Sequence, residues 1–200
     1  MEQESNFIKG LRLASLNLVT GADTGLATGL EKTVDVLAEL KIPYVIVGGL
    51  AVSVYAKPRM TEDIDFLIPE GKVEELKAFA KKHGYTLAPI EFGYTIDFGT
   101  SGIDLLEATE EFEKQALYQP NTLTVLGRKV SVIAPEYLVL MKLRALRKKD
   151  ESDIVELLKK FNKDQIKQTK KLVKEFFPHL TEDFDQMILI ATYELGNLAK

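Results

Sequence analysis

Apolar residues recur along this chain with two periods, and the change of period orders the elements. Residues 6–19 (NFIKGLRLASLNLV) are loosely amphipathic, and 20–25 (TGADTG) read as a loop. From Leu26 to Leu40 the spacing predicts a helix with Val34, Leu37 and Ala38 on one side, ended by Lys41-Ile42-Pro43. Tyr44-Val45-Ile46-Val47 is a short run of strand type, stopped by Gly48-Gly49, and Leu50 to Ala56 forms two helical turns before Lys57-Pro58. Alternation over Glu62–Ile68 predicts a strand with Ile64 and Phe66 on one face and Asp63 and Asp65 on the other. A helix over Lys72–His83 is closed by Gly84 in the position just past a helix that favours glycine. Strand-type pieces follow at 85–88, 93–98 and 102–107, then a hairpin over 123–133 turning at Gly127-Arg128. From Pro135 the pattern is helical: 135–148, 151–161, and further helices to about Leu198.

Strands mixed with helices in the first two-thirds, and helices alone afterwards, predict an α/β (α+β) fold. Its small mixed or antiparallel sheet is flanked by helices and carries an all-helical C-terminal extension. The expected divisions are a partly helical N-terminal segment at 1–25, a core at 26–134 and a helical region at 135–200.

Composition narrows the class. Two hundred residues, 46% hydrophobic and 28% charged, suit an ordinary globular chain with a proper core. The absence of cysteine excludes disulfides and thiolate metal sites and fits a reducing compartment. The acidic start MEQESNFIKG is not a signal peptide, and no apolar run approaches bilayer length, so a cytoplasmic location without membrane contact is expected. The net charge of −4 hides a segregation. Residues 139–174 hold twelve Lys/Arg against five Asp/Glu, a balance of +7 that leaves −11 for the rest. That stretch is either a solvated helical face or a basic surface for a phosphate-rich partner.

The candidate chemistry starts at Asp63-Ile64-Asp65. Residues i and i+2 of a strand share a face about 6–7 Å apart, and two ionised acids there repel unless a cation intervenes. Oxygen ligands on one face suit a hard divalent cation; acids facing solvent from an edge strand, or a capping role, are the other reading. A third carboxylate comes from Asp97 in Thr95-Ile96-Asp97-Phe98 or from Asp104 in Ile103-Asp104-Leu105-Leu106, and the more apolar setting favours Asp104. Gly48-Gly49 between strand and helix either lets an anion approach the backbone or is simply a tight turn. Ser53, one turn further, faces the same site or solvent. Lys142 falls on the packed side of its helix with Leu138, Ala145 and Leu146, where it snorkels outward or meets an acid or a phosphate. Asp150 and Asp153 also fit a helix start. His83 and His179 lack partners at ligand spacing.

Gly48-Gly49, thirteen intervening residues, Asp63-Ile64-Asp65, and a separate strand acid at Asp104 resemble, over 43–107, the nucleotidyltransferase superfamily related to DNA polymerase beta. The stretch Arg59-Met60-Thr61-Glu62-Asp63-Ile64-Asp65 is similar to the R-x-T-x-D-I-D segment of the abortive-infection, type IV toxin-like members and their relatives. Ala134-Pro135-Glu136-Tyr137-Leu138, Lys142-Leu143-Arg144-Ala145 and Lys149-Asp150-Glu151-Ser152-Asp153 extend the likeness to residue 158. Two departures stand out: a second glycine replaces the serine of many members, and residues beyond about 160 match no motif. The resemblance implies transfer of a nucleoside monophosphate from an NTP, with release of pyrophosphate. Asp63 and Asp65 would hold Mg²⁺ (or Mn²⁺), and Asp104 would share a second ion or act as base. Gly48 and Gly49 would cradle phosphate, supported by Ser53, Arg59, Thr61 and Lys142, the last contacting phosphate or pairing with Asp153. It also implies an acceptor that is RNA (tRNA in a toxin-like role, through residues 139–174), a protein or a small molecule, and an antitoxin protein as partner. A non-catalytic nucleotide- or RNA-binding module on the same fold is the alternative.

Overall fold

The computed structural model describes residues 1–15, 25–61, 63–99, 102–125 and 128–198. Most of the loop expected at 20–25 lies outside these, as do residues 16–19, Glu62 and the turn residue Gly127. Helix α1 spans Glu2–Ser15 and α2 spans Leu26–Glu39. The buried stripe of α2 is Leu26, Gly29, Leu30, Thr33, Val36 and Leu37, while Ala38 faces out. Thr33 is admitted to it because its hydroxyl donates to the Gly29 carbonyl at 2.8 Å.

Strand β1 is only Val45–Ile46, and α3 begins at once, running Gly48–Tyr55 with both glycines in its first turn. Strand β2 (Asp65–Pro69) precedes α4 (Val73–His83), which Gly84 closes in the left-handed conformation. Then come β3 (Thr86–Ile90), β4 (Gly93–Asp97), β5 (Gly102–Ala108), α5 (Glu111–Tyr118), β6 (Asn121–Val125) and β7 (Arg128–Val132). The alternation-based reading passes over α5. Its signal is the Glu110/Glu113 capping box followed by Phe112, Ala116 and Leu117 on one buried face. The C-terminal helices are α6 (Pro135–Ala145), α7 (Lys148–Leu158), α8 (Lys163–Phe176) and, after a short 3₁₀ turn, α9 (Thr181–Leu198).

Seven strands form one mixed sheet in the order β3-β4-β5-β2-β1-β7-β6. The β2–β5 and β1–β7 pairings are parallel and the others antiparallel. The fold is thus the mixed sheet with flanking helices that the sequence predicts. One hydrophobic core joins all three expected segments, from Phe7 of α1 through Phe66 and Leu67 of β2 to Leu143, Ile154 and Phe184 of the C-terminal helices. Fully burying side chains of this size is worth about 1.5–3 kcal/mol each, so α6 and α7 are fastened to the sheet. That anchorage sets the position of every charge they bring to it.

Candidate active site

β2 and β5 run side by side and parallel, and Asp65 is in register with Asp104. Parallel strands in register point matched side chains to one face, so these two carboxylates face each other across the pair. Asp63 joins them by another route. β2 starts at Asp65, so strand pleating does not aim Asp63; Thr61 does, donating its hydroxyl to Asp63 Oδ1 at 2.8 Å. Carboxylate oxygens of Asp63, Asp65 and Asp104 lie within 4.8 Å of one another. Asp63 is exposed and the other two are half-buried. On the neighbouring β4, Thr95 is opposite Asp104 and donates to its Oδ1 at 2.5 Å. Asp97 is exposed at the end of β4, where its Oδ1 accepts the Gly99 N–H at 2.7 Å. The cluster therefore contains Asp104 and not Asp97.

The two glycines are shaped to the acids. Gly48 holds φ +64, and a Cβ there would lie 1.8 Å from Asp65 Oδ2. A Cβ on Gly49 would lie 2.6 Å from Thr61 Oγ1. The second glycine is thus explained locally: the space for a serine side chain is taken by Thr61. Both glycines open α3, whose first-turn N–H groups and positive dipole end suit an anion.

Electrostatics set Asp65 apart. Burial, and then the charges of Asp63 and Asp104, push its carboxyl up to about 7, against the opposing pull of Lys142 and Arg147. The donor set is entirely carboxylate oxygen, mutually repelling and convergent, which fits Mg²⁺ or Mn²⁺.

The remaining predicted residues lie behind this surface. Ser53 is fully buried and does not reach the acids. Its hydroxyl donates to the Gly49 carbonyl at 3.2 Å and accepts the Arg59 N–H at 3.3 Å, and Gly10 of α1 packs on it. Ser53 thus faces neither the ligand site nor solvent, the two placements the sequence allows, and is a buried fastener of the loop that leads to Thr61. Lys142 is buried, with its ammonium 2.8 Å from Asp150 Oδ1 and 2.9 Å from Asp153 Oδ2. Of the two roles expected for it, the pairing with Asp153 is the one observed. Arg59 donates twice to Asp153, through Nε and Nη2 at 2.8 Å each, and through Nη1 to the Met60 carbonyl at 2.9 Å. Asp153 therefore ties α7 to the loop that carries Thr61 and Asp63. Asp150 is fully buried. Burial works to raise its carboxyl, yet hydrogen bonds from Arg147 and Lys142 and their charges hold it below the ordinary range. Thr95 and Arg147 escaped the sequence reading: a cross-strand partner is invisible before the register is known, and Arg147 reads as one more member of a basic run.

A short β1, a glycine-opened helix and acids on adjacent strands of a mixed sheet are the architecture of the nucleotidyltransferase class. Residues 27–189 match the family described as nucleotidyl transferase of unknown function (DUF2204), and the chain belongs to it. Among solved structures, the fold resembles an antigenic nucleotidyltransferase-like protein from Paracoccidioides brasiliensis, with TM-score 0.50, 18% identity, and coverage of 80% of this chain and 92% of that one. The antibiotic-resistance factor ANT(2'')-Ia gives TM-score 0.48 at 17% identity over 86% of this chain and 94% of that one. The lincosamide antibiotic adenylyltransferase LnuA, lincomycin-bound, gives 0.48 at 18% over 64% and 93%. No curated protein matches the chain. No helix among the described residues is long and apolar enough to cross a membrane.

Proposed function

We propose that the chain transfers a nucleoside monophosphate from an NTP to an acceptor hydroxyl, with Asp63, Asp65 and Asp104 holding the divalent cation the reaction requires. The observation that carries this reading is the convergence of those three carboxylates within 4.8 Å, beside a helix whose glycines leave its N-terminus open. Lys142 and Arg147, the cations whose charges lower Asp65, are already paired, Lys142 with Asp150 and Asp153 and Arg147 with Asp150, which leaves room for an external cation at the acids. A divalent cation bound there supplies charge neutralisation at the triphosphate and at the departing oxygen. The backbone N–H groups of Gly48 and Gly49 receive phosphate oxygens, Thr61 keeps Asp63 pointed at the site, and Arg59 keeps Thr61 in place. In the transfer, the acceptor oxygen bonds to the α-phosphorus as the bond to pyrophosphate breaks. The electron pair leaves with pyrophosphate, and the acceptor proton passes to Asp104 or to solvent.

Helix α8 carries the charge that favours one class of acceptor. Lys163, Lys167, Lys171 and Lys174 are all exposed and recur at helical spacing, so they line one face. That face supports a polyanionic acceptor such as RNA. A toxin-like role in the cytoplasm follows from the resemblance and predicts growth arrest on expression, relieved by Asp65→Asn.

Thermal unfolding with each of the four NTPs, with and without Mg²⁺, tests the reading. A ligand at a hundred times its Kd stabilises the folded state by about 2.7 kcal/mol. A Mg²⁺-dependent shift with at least one NTP, absent in Asp65→Asn, is expected, followed by label transfer from that NTP. No shift with any NTP would sink catalysis by this chain.

A further inference from the structure

Glu136 stands in the first turn of α6 and is only 8% exposed. Among the described residues its carboxylate accepts no hydrogen bond and joins no ion pair. Buried polar groups are almost always satisfied. The positive end of a helix favours a negative charge, but it does not supply the missing donors. Glu113 shows the ordinary arrangement: equally buried, it accepts the N–H groups of Thr109 and Glu110 and pairs with Arg144.

Glu136 lines a cavity of about 300 Å³ with Tyr55, Asn121, Lys160, Phe161 and Gln165. Tyr55 has nothing to offer the carboxylate, since its hydroxyl donates to the Ile133 carbonyl at 2.8 Å and accepts from Asn121 Nδ2 at 2.9 Å. Lys160 is exposed and in no ion pair among the described residues, whereas its neighbour Lys159 pairs with Glu156 and Glu194. Gln165 spends its Oε1 on the Asn162 N–H at 3.1 Å and keeps its side-chain N–H groups. None of these residues belongs to the acid cluster or to the Lys142–Asp150–Asp153–Arg59 network.

Two aromatic rings, Tyr55 and Phe161, give the cavity flat apolar surfaces of the kind on which unstacked bases lie. A carboxylate accepts two parallel N–H donors, and an ammonium and an amide donate. Guanine is the base that matches this set. Its N1–H and 2-amino group are adjacent donors on one edge, and its O6 and N7 are the neighbouring acceptors. We propose that this cavity binds a guanine base, with Glu136 accepting from N1–H and the 2-amino group and Lys160 donating to O6 and N7. The base belongs to a free guanine nucleotide or to an exposed guanosine of RNA. Helix α8, which supplies Gln165, also carries the exposed lysines that favour a polyanion. Binding here requires neither the three acids nor a divalent cation, and so goes beyond the transfer reaction.

Binding is measured with a chelator present, which removes cation-dependent binding at the acids. The probes are GMP, IMP and AMP, and three single-stranded oligoribonucleotides that differ at one position, guanosine, inosine or adenosine. Wild type is expected to bind the guanine probe about tenfold more tightly than the hypoxanthine probe, which lacks the 2-amino donor, and the adenine probe more weakly still. Glu136→Gln is expected to narrow the gap between guanine and hypoxanthine to within about twofold, and Asp65→Asn to leave it unchanged. Glu136→Asp keeps the charge at the helix start and withdraws it by one methylene; the same narrowing is expected, and it decides should Glu136→Gln not fold. A preference confined to the oligonucleotides assigns the base to RNA, and one shown by the mononucleotides as well assigns it to free nucleotide; each supports the site. No guanine preference in either series, or one unaltered by the Glu136 substitutions, would overturn the inference. A preference lost in Asp65→Asn would move the base to the acid cluster and overturn it too. Guanine binding that persists while no NTP gives a Mg²⁺-dependent shift would sink the transfer reading and leave this site standing.

Discussion

Gly48 and Asp65 compete for one volume: a Cβ on the glycine would lie 1.8 Å from the carboxylate Oδ2. The glycine is demanded twice, by that contact and by its φ of +64. Gly84 supplies the comparison, since it has φ +71 and nothing within 4 Å of an added Cβ.

Gly48→Ala is therefore expected to abolish divalent cation binding, and Gly84→Ala to cost only backbone strain, about 1–2 kcal/mol. Cation titrations followed by thermal unfolding compare the two. Equal cation affinity in Gly48→Ala and wild type would show that Asp65 moves aside without consequence, contrary to the tight fit.

Asp65 makes metal-free stability depend on pH. Its carboxyl is raised from the ordinary 3.8 to about 7 in the folded chain. Between those values the folded state binds the proton more tightly than the unfolded state, so stability present below pH ~4 is lost as pH rises towards and through ~7. Denaturant unfolding with a chelator present should show this decline, flattened in Asp65→Asn, and added Mg²⁺ should restore stability at pH 8 more than at pH 5. A wild-type profile identical to that of Asp65→Asn would remove the electrostatic basis for the cation site.

Much of this site could be read from the order of residues, because Gly48-Gly49, Asp63-Ile64-Asp65 and Asp104 belong to local strand and turn patterns. What could not be read depends on register or depth. Strand alternation placed Asp63 and Asp65 on one face, but β2 begins only at Asp65 and Thr61 does the aiming. Ser53 has the spacing to face a ligand and is instead sealed beneath α1 by Gly10. Helix α5 was missed because its apolar face covers a few residues between strand-like runs. The Lys142–Asp150–Asp153–Arg59 network joins residues up to 94 positions apart. No local period reports a contact of that kind.

The choice between two acids on adjacent strands has a direct test. Asp104 is within the cluster and held by Thr95, whereas Asp97 caps its own turn at Gly99. Asp104→Asn is expected to remove label transfer, Asp97→Asn to leave it near wild type, and Thr95→Val to reduce it by less than Asp104→Asn does. Transfer that fails only in Asp97→Asn would move the third carboxylate to β4.

Lys142 is expected to act through the fold and not through the nucleotide. Its buried ammonium is shared by Asp150 and Asp153, both themselves buried. Removing one member of a buried ionic cluster strands the others, at about 3–5 kcal/mol. Lys142→Met should therefore unfold at clearly lower urea concentration. Adding Asp150→Asn should recover part of the loss, because it deletes a charge left short of its partner. Asp153 also anchors Arg59, so Lys142→Met should loosen Thr61 and Asp63 and weaken Mg²⁺ binding measured without any nucleotide. A Lys142→Met protein of wild-type stability and Mg²⁺ affinity, impaired only in NTP binding, would return Lys142 to the role of phosphate contact.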